Sequence, residues 1–151
     1  MYKKILVPTD GSDLSTLAAT AAIDFARAND GEIVAFSSAE PYPVMPLVEG
    51  ASVIDPGIDT ELLLNIARQN VEKVAALAHQ AGVPCTNVTA FALPAYEGII
   101  KAAAEHGCDL VFMASHGRHG LSKLLAGSVT QDVLTHSSVP VMVLRPPAPA
   151  N

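Results

Sequence analysis

The sequence predicts an α/β domain: a parallel β-sheet with helices on both of its faces. Three observations carry this. Short apolar runs, Leu110-Val111-Phe112-Met113 among them, have the length and flanks of strands buried on both sides. They alternate with longer segments whose apolar residues recur at helical spacing. Aromatics make up only 5% of the chain while Ala, Val and Leu are abundant, which suits close contact of helix on sheet. The resulting order, β-α-β-α-β-α-β-α-β, is that of parallel strands joined by helical crossovers.

Taken in order, Lys3 to Asp10 is the first strand, ending in the sharp turn Pro8-Thr9-Asp10-Gly11-Ser12. Ser12 or Asp13 caps the following helix. Its predicted inward stripe is Leu14, Leu17, Ala18, Ala21 and Phe25, with Asp24 and Arg27 off it, and Asn29-Asp30-Gly31 stops it. Glu32 to Ala39 is the second strand. Between Glu40 and Gly57, four prolines and two glycines exclude regular structure for most of the segment. It also carries Val44, Met45, Leu47, Val48, Val53 and Ile54, so it reads as a loop packed over a sheet edge or in an oligomer contact, or else as a lid over a ligand. Asp59 to Gln80 is a helix with Leu64, Ala67, Val71, Val74, Ala75 and Ala78 inward, closed by Gly82. Pro84 to Ala92 is the third strand. Pro94 suits the first turn of the next helix, which turns Tyr96, Ile99, Ile100 and Ala103 inward and ends at His106-Gly107.

The fourth strand, Leu110 to Met113, leads through a glycine-bearing loop to a short helix, Ser128 to His136. Ser128 and Gln131 have the spacing of a capping box at its start. Val139 to Leu144 is the last strand. Residues 1–146 are expected to form one domain, with 147–151 a disordered, proline-containing tail.

A chain of 151 residues can bury one core. Its net charge of −6 argues against general binding to nucleic acid or to anionic membranes. No apolar run approaches the ~18 residues of a membrane span. The N-terminal segment lacks a signal-peptide pattern and reads as a strand. Cys85 and Cys108 have neither C-x-x-C nor metal-ligand spacing, so a reducing, cytoplasmic location is expected.

The candidate site is the segment from Ala114 to Val129. A strand, then a loop with Gly117, Gly120 and Gly127, then a helix N-terminus, is an arrangement that receives anions. The glycines let backbone N–H groups converge, and the helix start adds unpaired donors and partial positive charge. It is not a Walker A loop, since no Lys stands between Gly127 and Ser128. Arg118 and Lys123 either neutralise a phosphate or are solvated charges. His116 and His119 have no accompanying carboxylate and no helical spacing, so no metal site is expected there. No G-x-S-x-G elbow is present and Ser122 has no evident base, so no catalytic residue is assigned.

The chain resembles the universal stress proteins, a single-domain family related to the adenine-nucleotide α-hydrolase-like folds. The likeness rests on Lys4-Ile5-Leu6-Val7-Pro8-Thr9-Asp10-Gly11-Ser12, on Cys108-Asp109-Leu110-Val111-Phe112-Met113, on Ser115-His116-Gly117, on Gly127-Ser128-Val129 and on Pro140-Val141-Met142-Val143-Leu144. The family's nucleotide pattern, G-x2-G-x9-G-[ST], falls on Ala114, Gly117, Gly127 and Ser128, with Ala114 standing where the first glycine would be.

This resemblance implies a Rossmann-like, three-layer α/β/α sandwich whose five-stranded parallel sheet has the order 3-2-1-4-5. It implies an adenine-nucleotide site built from Pro8, Thr9, Asp10, Ser38, Met113, Ala114, Gly117, Arg118, Gly127, Ser128 and Val129. The ligand would be ATP, or else AMP or ADP, with Mg or Mn bridging the phosphates. Asp10 would contact the adenosine part; from the residues alone it could equally cap the first helix or hold an Asp-Gly turn. The resemblance further implies a homodimer through antiparallel pairing of strand 139–144. The expected role is a regulatory or stress-resilience module, not an enzyme, with at most slow ATP hydrolysis. The other reading is a nucleotide-free interaction protein working through its dimer surface and the 40–57 loop. Neither reading involves nucleic acid or a membrane.

Overall fold

A computed structural model of the chain describes residues 1–40, 60–116 and 127–147. Its elements run β1 (Lys4–Pro8), α1 (Asp13–Ala28), β2 (Glu32–Ala39), α2 (Thr60–Gln80), β3 (Cys85–Phe91), α3 (Ala95–Glu105), β4 (Leu110–Ala114), α4 (Ser128–His136) and β5 (Val141–Leu144). The strands form one parallel sheet in the order β3-β2-β1-β4-β5. This is the predicted order, with its reversal between β1 and β4. The last strand is shorter than expected: Val139 is held in a turn, its N–H donating to Ser137 Oγ and its carbonyl accepting from the same hydroxyl. Most of the Glu40–Gly57 loop, and the glycine loop from Gly117 to Ala126, lie outside the described residues.

Strand alternation divides the core into two layers. Ile5 and Val7, Ile33 and Ala35, and Leu110 and Phe112 face α1 and α2, packing on Ala18, Ala22, Val71 and Val74. Leu6, Val34, Phe36, Val111 and Met113 face the other way, onto Ile99, Ala102 and Ala103 of α3 and Val133 of α4. Strands buried on both faces show an unbroken apolar run in sequence, which is why they were legible.

The buried face of α1 is rotated from the predicted stripe. Ser15, Ala18, Ala19, Ala22, Ile23 and Ala26 are buried, whereas Leu17 is 52% exposed. Small residues let α1 lie close on the sheet, so alanines occupy the centre of the contact and the bulkier Leu14 and Phe25 its margin. In α3, Ala102 rather than Ile100 completes the buried set with Ile99 and Ala103.

Helix ends follow local chemistry. Ser12 caps α1 by accepting from Ser15 N, while Gly82 and Gly107, at φ 71° and 63°, end the turns after α2 and α3. Pro94 is the N-cap of α3, one residue earlier than expected. After α1 it is Asp30, not Gly31, that takes a positive φ of 51°. Gly31 is needed for another reason: a Cβ there would sit 2.8 Å from the carbonyl oxygen of Lys3.

Candidate functional site

The carboxyl ends of β1 and β4 diverge where the strand order reverses, and a cavity of about 360 Å³ opens there. Its floor begins with the β1 turn. Thr9 N donates to Phe36 O at 2.8 Å, tying the turn to β2. Thr9 Oγ1 lies 3.1 Å from Ser15 Oγ and accepts from Gly11 N, and Gly11 takes a φ of 79°. Asp10 Oδ1 accepts from Ser12 N at 2.9 Å, the Asp-Gly turn anticipated from sequence. Asp10 nonetheless also lines the cavity, so the turn and a ligand contact are compatible.

The second wall is the junction of β4 and α4. Ser115 N donates to Leu144 O, and Gly127 N donates to Ser115 O at 2.6 Å, which returns the chain to the strand end as the helix begins. Thr130 Oγ1 donates to Ala114 O at 3.0 Å and is buried, fixing the first turn of α4 against β4. Gly127, not Ser128, occupies the N-cap, and Ser128 is the first helical residue. The expected capping box is therefore absent: a residue with a φ of −59° and no side chain precedes the helix. That φ also removes conformational freedom as the reason for a glycine at 127. Closeness supplies the reason, since a Cβ would meet His116 Cβ at 3.2 Å and His116 Cα at 3.3 Å.

Of the residues assigned from sequence, Pro8, Thr9 and Asp10 meet Ser38 of β2 across this cavity. Met113, Ala114, Gly127, Ser128 and Val129 line its other side. Gly117 and Arg118 lie outside the described residues. Ala114, at the position of the motif's first glycine, is the last residue of β4 and joins the α1-side core, with only 7% exposure. The methyl is thus largely absorbed by packing.

Sequence reading missed a third wall. Leu63, Ile66 and Asn70 of α2 and Ala95 and Ile99 of α3 also border the cavity, as do Ser15 and His116. The α2 residues are many positions from any strand end, and only the packing of α2 on β2 brings them there. One signal was present: Asn70 stands at helical spacing from Ala67 and Val74, within an otherwise apolar stripe.

The geometry offers backbone donors at a helix start, hydroxyls at a strand end, and apolar walls between. Comparison with known proteins adds the family. The model of the universal stress protein family matches residues 1–145. This chain belongs to that family. Among universal stress proteins, MJ0531 of Methanocaldococcus jannaschii is 34% identical over 148 residues, covering 97% of this chain and 84% of that one. The solved structure of MJ0577 has a TM-score of 0.79 at 28% identity, covering 98% of this chain and 99% of that one. Two further family structures share the fold at a TM-score of 0.66. One is a universal stress protein in complex with cAMP, 21% identical, with coverage of 95% and 97%. The other is the Archaeoglobus fulgidus protein in complex with dAMP, 17% identical, with coverage of 94% and 97%.

Proposed function

We propose that this universal stress protein binds an adenine nucleotide in the cavity between β1 and β4, with ATP as the ligand and AMP or ADP as alternatives. One observation carries the reading. The β1 turn and the β4–α4 junction, far apart in sequence, line a single cavity at the sheet's reversal point. The cAMP and dAMP complexes of two relatives show adenine nucleotides bound in those proteins and support the same ligand class here.

The residues fit such a group. A cavity of about 360 Å³ falls within the ~300–1,000 Å³ usual for small-molecule sites. Gly127 leaves room beside His116 for an approach that a Cβ would fill. Backbone N–H groups at the start of α4, with the Ser128 hydroxyl, would hold phosphate oxygens, and Asp10 with the β1 turn would hold the nucleoside end. A Mg or Mn ion, carried in with the nucleotide, would offset part of the phosphate charge. Gly117 and Arg118 belong to the proposed site by motif. The function that follows is ligand-gated regulation or stress resilience, with no residue assigned to a chemical step.

The test is direct. Mass spectrometry of natively purified protein after denaturation should release ATP, AMP or ADP. ATP with Mg²⁺ at a hundredfold over Kd should stabilise the folded state by about 2.7 kcal/mol. That raises Tm by several degrees, more with ATP than with GTP. No shift at millimolar ATP would favour a nucleotide-free interaction protein.

The same reading includes a homodimer through β5, whose outer edge has no strand beside it among the described residues. Val141, Val143 and Leu144 are half-buried and Met142 is 37% exposed, an apolar edge of the kind that proteins pair or cover. Met142→Lys should therefore convert dimer to monomer by light scattering. An unchanged mass would move the contact elsewhere.

A further inference from the structure

The cavity has two unlike ends. The sheet order puts β4 and α4 on one side of β1, and β2 with α2 packed on it on the other. The α4 end offers helix N–H groups, which favour negative charge. The β2–α2 end carries the Glu40 carboxylate at its exposed margin and is otherwise neutral, with Asn70 set among Ala39, Leu63 and Ile66. A carboxylate disfavours phosphate there, whereas an amide in apolar surroundings suits an uncharged hydrogen-bonding group.

Asn70 lies in the middle of α2, on its buried face, with 6% exposure. Its Nδ2 donates to Ser37 Oγ at 3.2 Å, and Ser37 is itself 1% exposed. Among the described residues Asn70 has no other hydrogen bond, and no fully buried side-chain oxygen or nitrogen is left without a partner. The remaining amide oxygen is therefore open to the cavity that Asn70 lines, with the second N–H beside it. Turning the amide over would leave the same pair of groups, because the Ser37 hydroxyl can donate as well as accept.

We infer that Asn70 is a specificity-determining residue that reads the base of the bound nucleotide, with Ser37 as the positioning residue behind it. This rests on the adenine-nucleotide reading above. An amide presents an acceptor next to a donor, and the 6-amine of adenine next to a ring nitrogen presents the complement. A base without the amine leaves the amide oxygen desolvated and unpaired, so the site discriminates against it.

The test compares adenosine with purine riboside, which is adenosine lacking the 6-amine, by calorimetry on the full chain. The wild type should bind adenosine about tenfold or more tightly, the value of one good amide–adenine pair. Asn70→Leu should bring the two affinities together. Ser37→Ala keeps the amide but frees it, and should reduce the ratio severalfold with an unchanged far-UV spectrum. In the unsubstituted protein, the Asn70 side-chain amide resonances should shift when adenosine is added. A wild-type ratio near one, a ratio that survives Asn70→Leu, or resonances that adenosine leaves unmoved would overturn the inference while nucleotide binding stands. A wild type that binds neither adenosine nor ATP would overturn both.

Discussion

Gly127→Val is expected to abolish ATP binding while the protein remains folded. The glycine is the N-cap of α4, and its N–H is already engaged with Ser115 O at 2.6 Å. A single added carbon would stand 3.2 Å from His116 Cβ and 3.5 Å from Ser115 O, so a β-branched side chain has to push the β4–α4 junction apart. Two effects then coincide. The branches occupy the space through which phosphates reach the helix start, and the junction that aims those donors is displaced. Each charge-assisted hydrogen bond lost there is worth roughly 1.5–3 kcal/mol, so losing two weakens binding by about a hundredfold or more. The cost to the fold should stay near 1–3 kcal/mol, the usual range for overpacking, because both core layers lie away from residue 127. Calorimetry with ATP and a far-UV spectrum check both halves. Unchanged affinity would remove the α4 N-terminus from the site.

The central strands were legible because burial on both faces leaves an unbroken apolar signature, and the helices because Asn29 to Gly31, Gly82 and His106-Gly107 punctuate them; the strand order was what the resemblance to universal stress proteins implied. What sequence could not resolve is which side of an alanine-rich helix is buried. In α1, Ala18, Ala19, Ala22 and Ala26 carry little hydrophobic contrast, and Leu17 drew the expected stripe toward solvent. The site divides the same way. The β1 turn and the β4–α4 junction announce themselves through turn chemistry and glycine spacing. The α2 wall is made by tertiary packing, and nothing in the sequence around Asn70 points to Ser37. Ser128 shows how a correct boundary can carry the wrong mechanism. The helix does start there, but Ser128 is its first helical residue, and the glycine in the N-cap place carries no side-chain oxygen to complete a capping box with Gln131.

Phe36→Ala is expected to be the most destabilising single change, because this ring serves the core and the cavity at once. Phe36 is 1% exposed, belongs to the layer with Leu6, Val34 and Ile99, and also lines the cavity wall. Helix α3 is shaped around it: a Cβ at Gly98 would lie 3.1 Å from Phe36 Cζ and 2.5 Å from Ala92 Cβ. The ring therefore fills a place made by a glycine in the facing helix. Truncation removes the apolar area and leaves a void that this close fit has little means to close, a loss of about 3–5 kcal/mol. Against a total stability of about 5–15 kcal/mol, that lowers the urea midpoint by roughly a fifth or more, with an unchanged m-value if the protein still unfolds as one unit. Unlike Gly127→Val, this change should weaken adenosine as well as ATP, since the wall it removes is apolar and carries no phosphate contact. A stability loss below about 1 kcal/mol would mean that α3 settles into the gap, and then the cavity wall must have moved with it. In that case adenosine affinity would fall without the fold weakening, and the two measurements together separate a rigid wall from a yielding one.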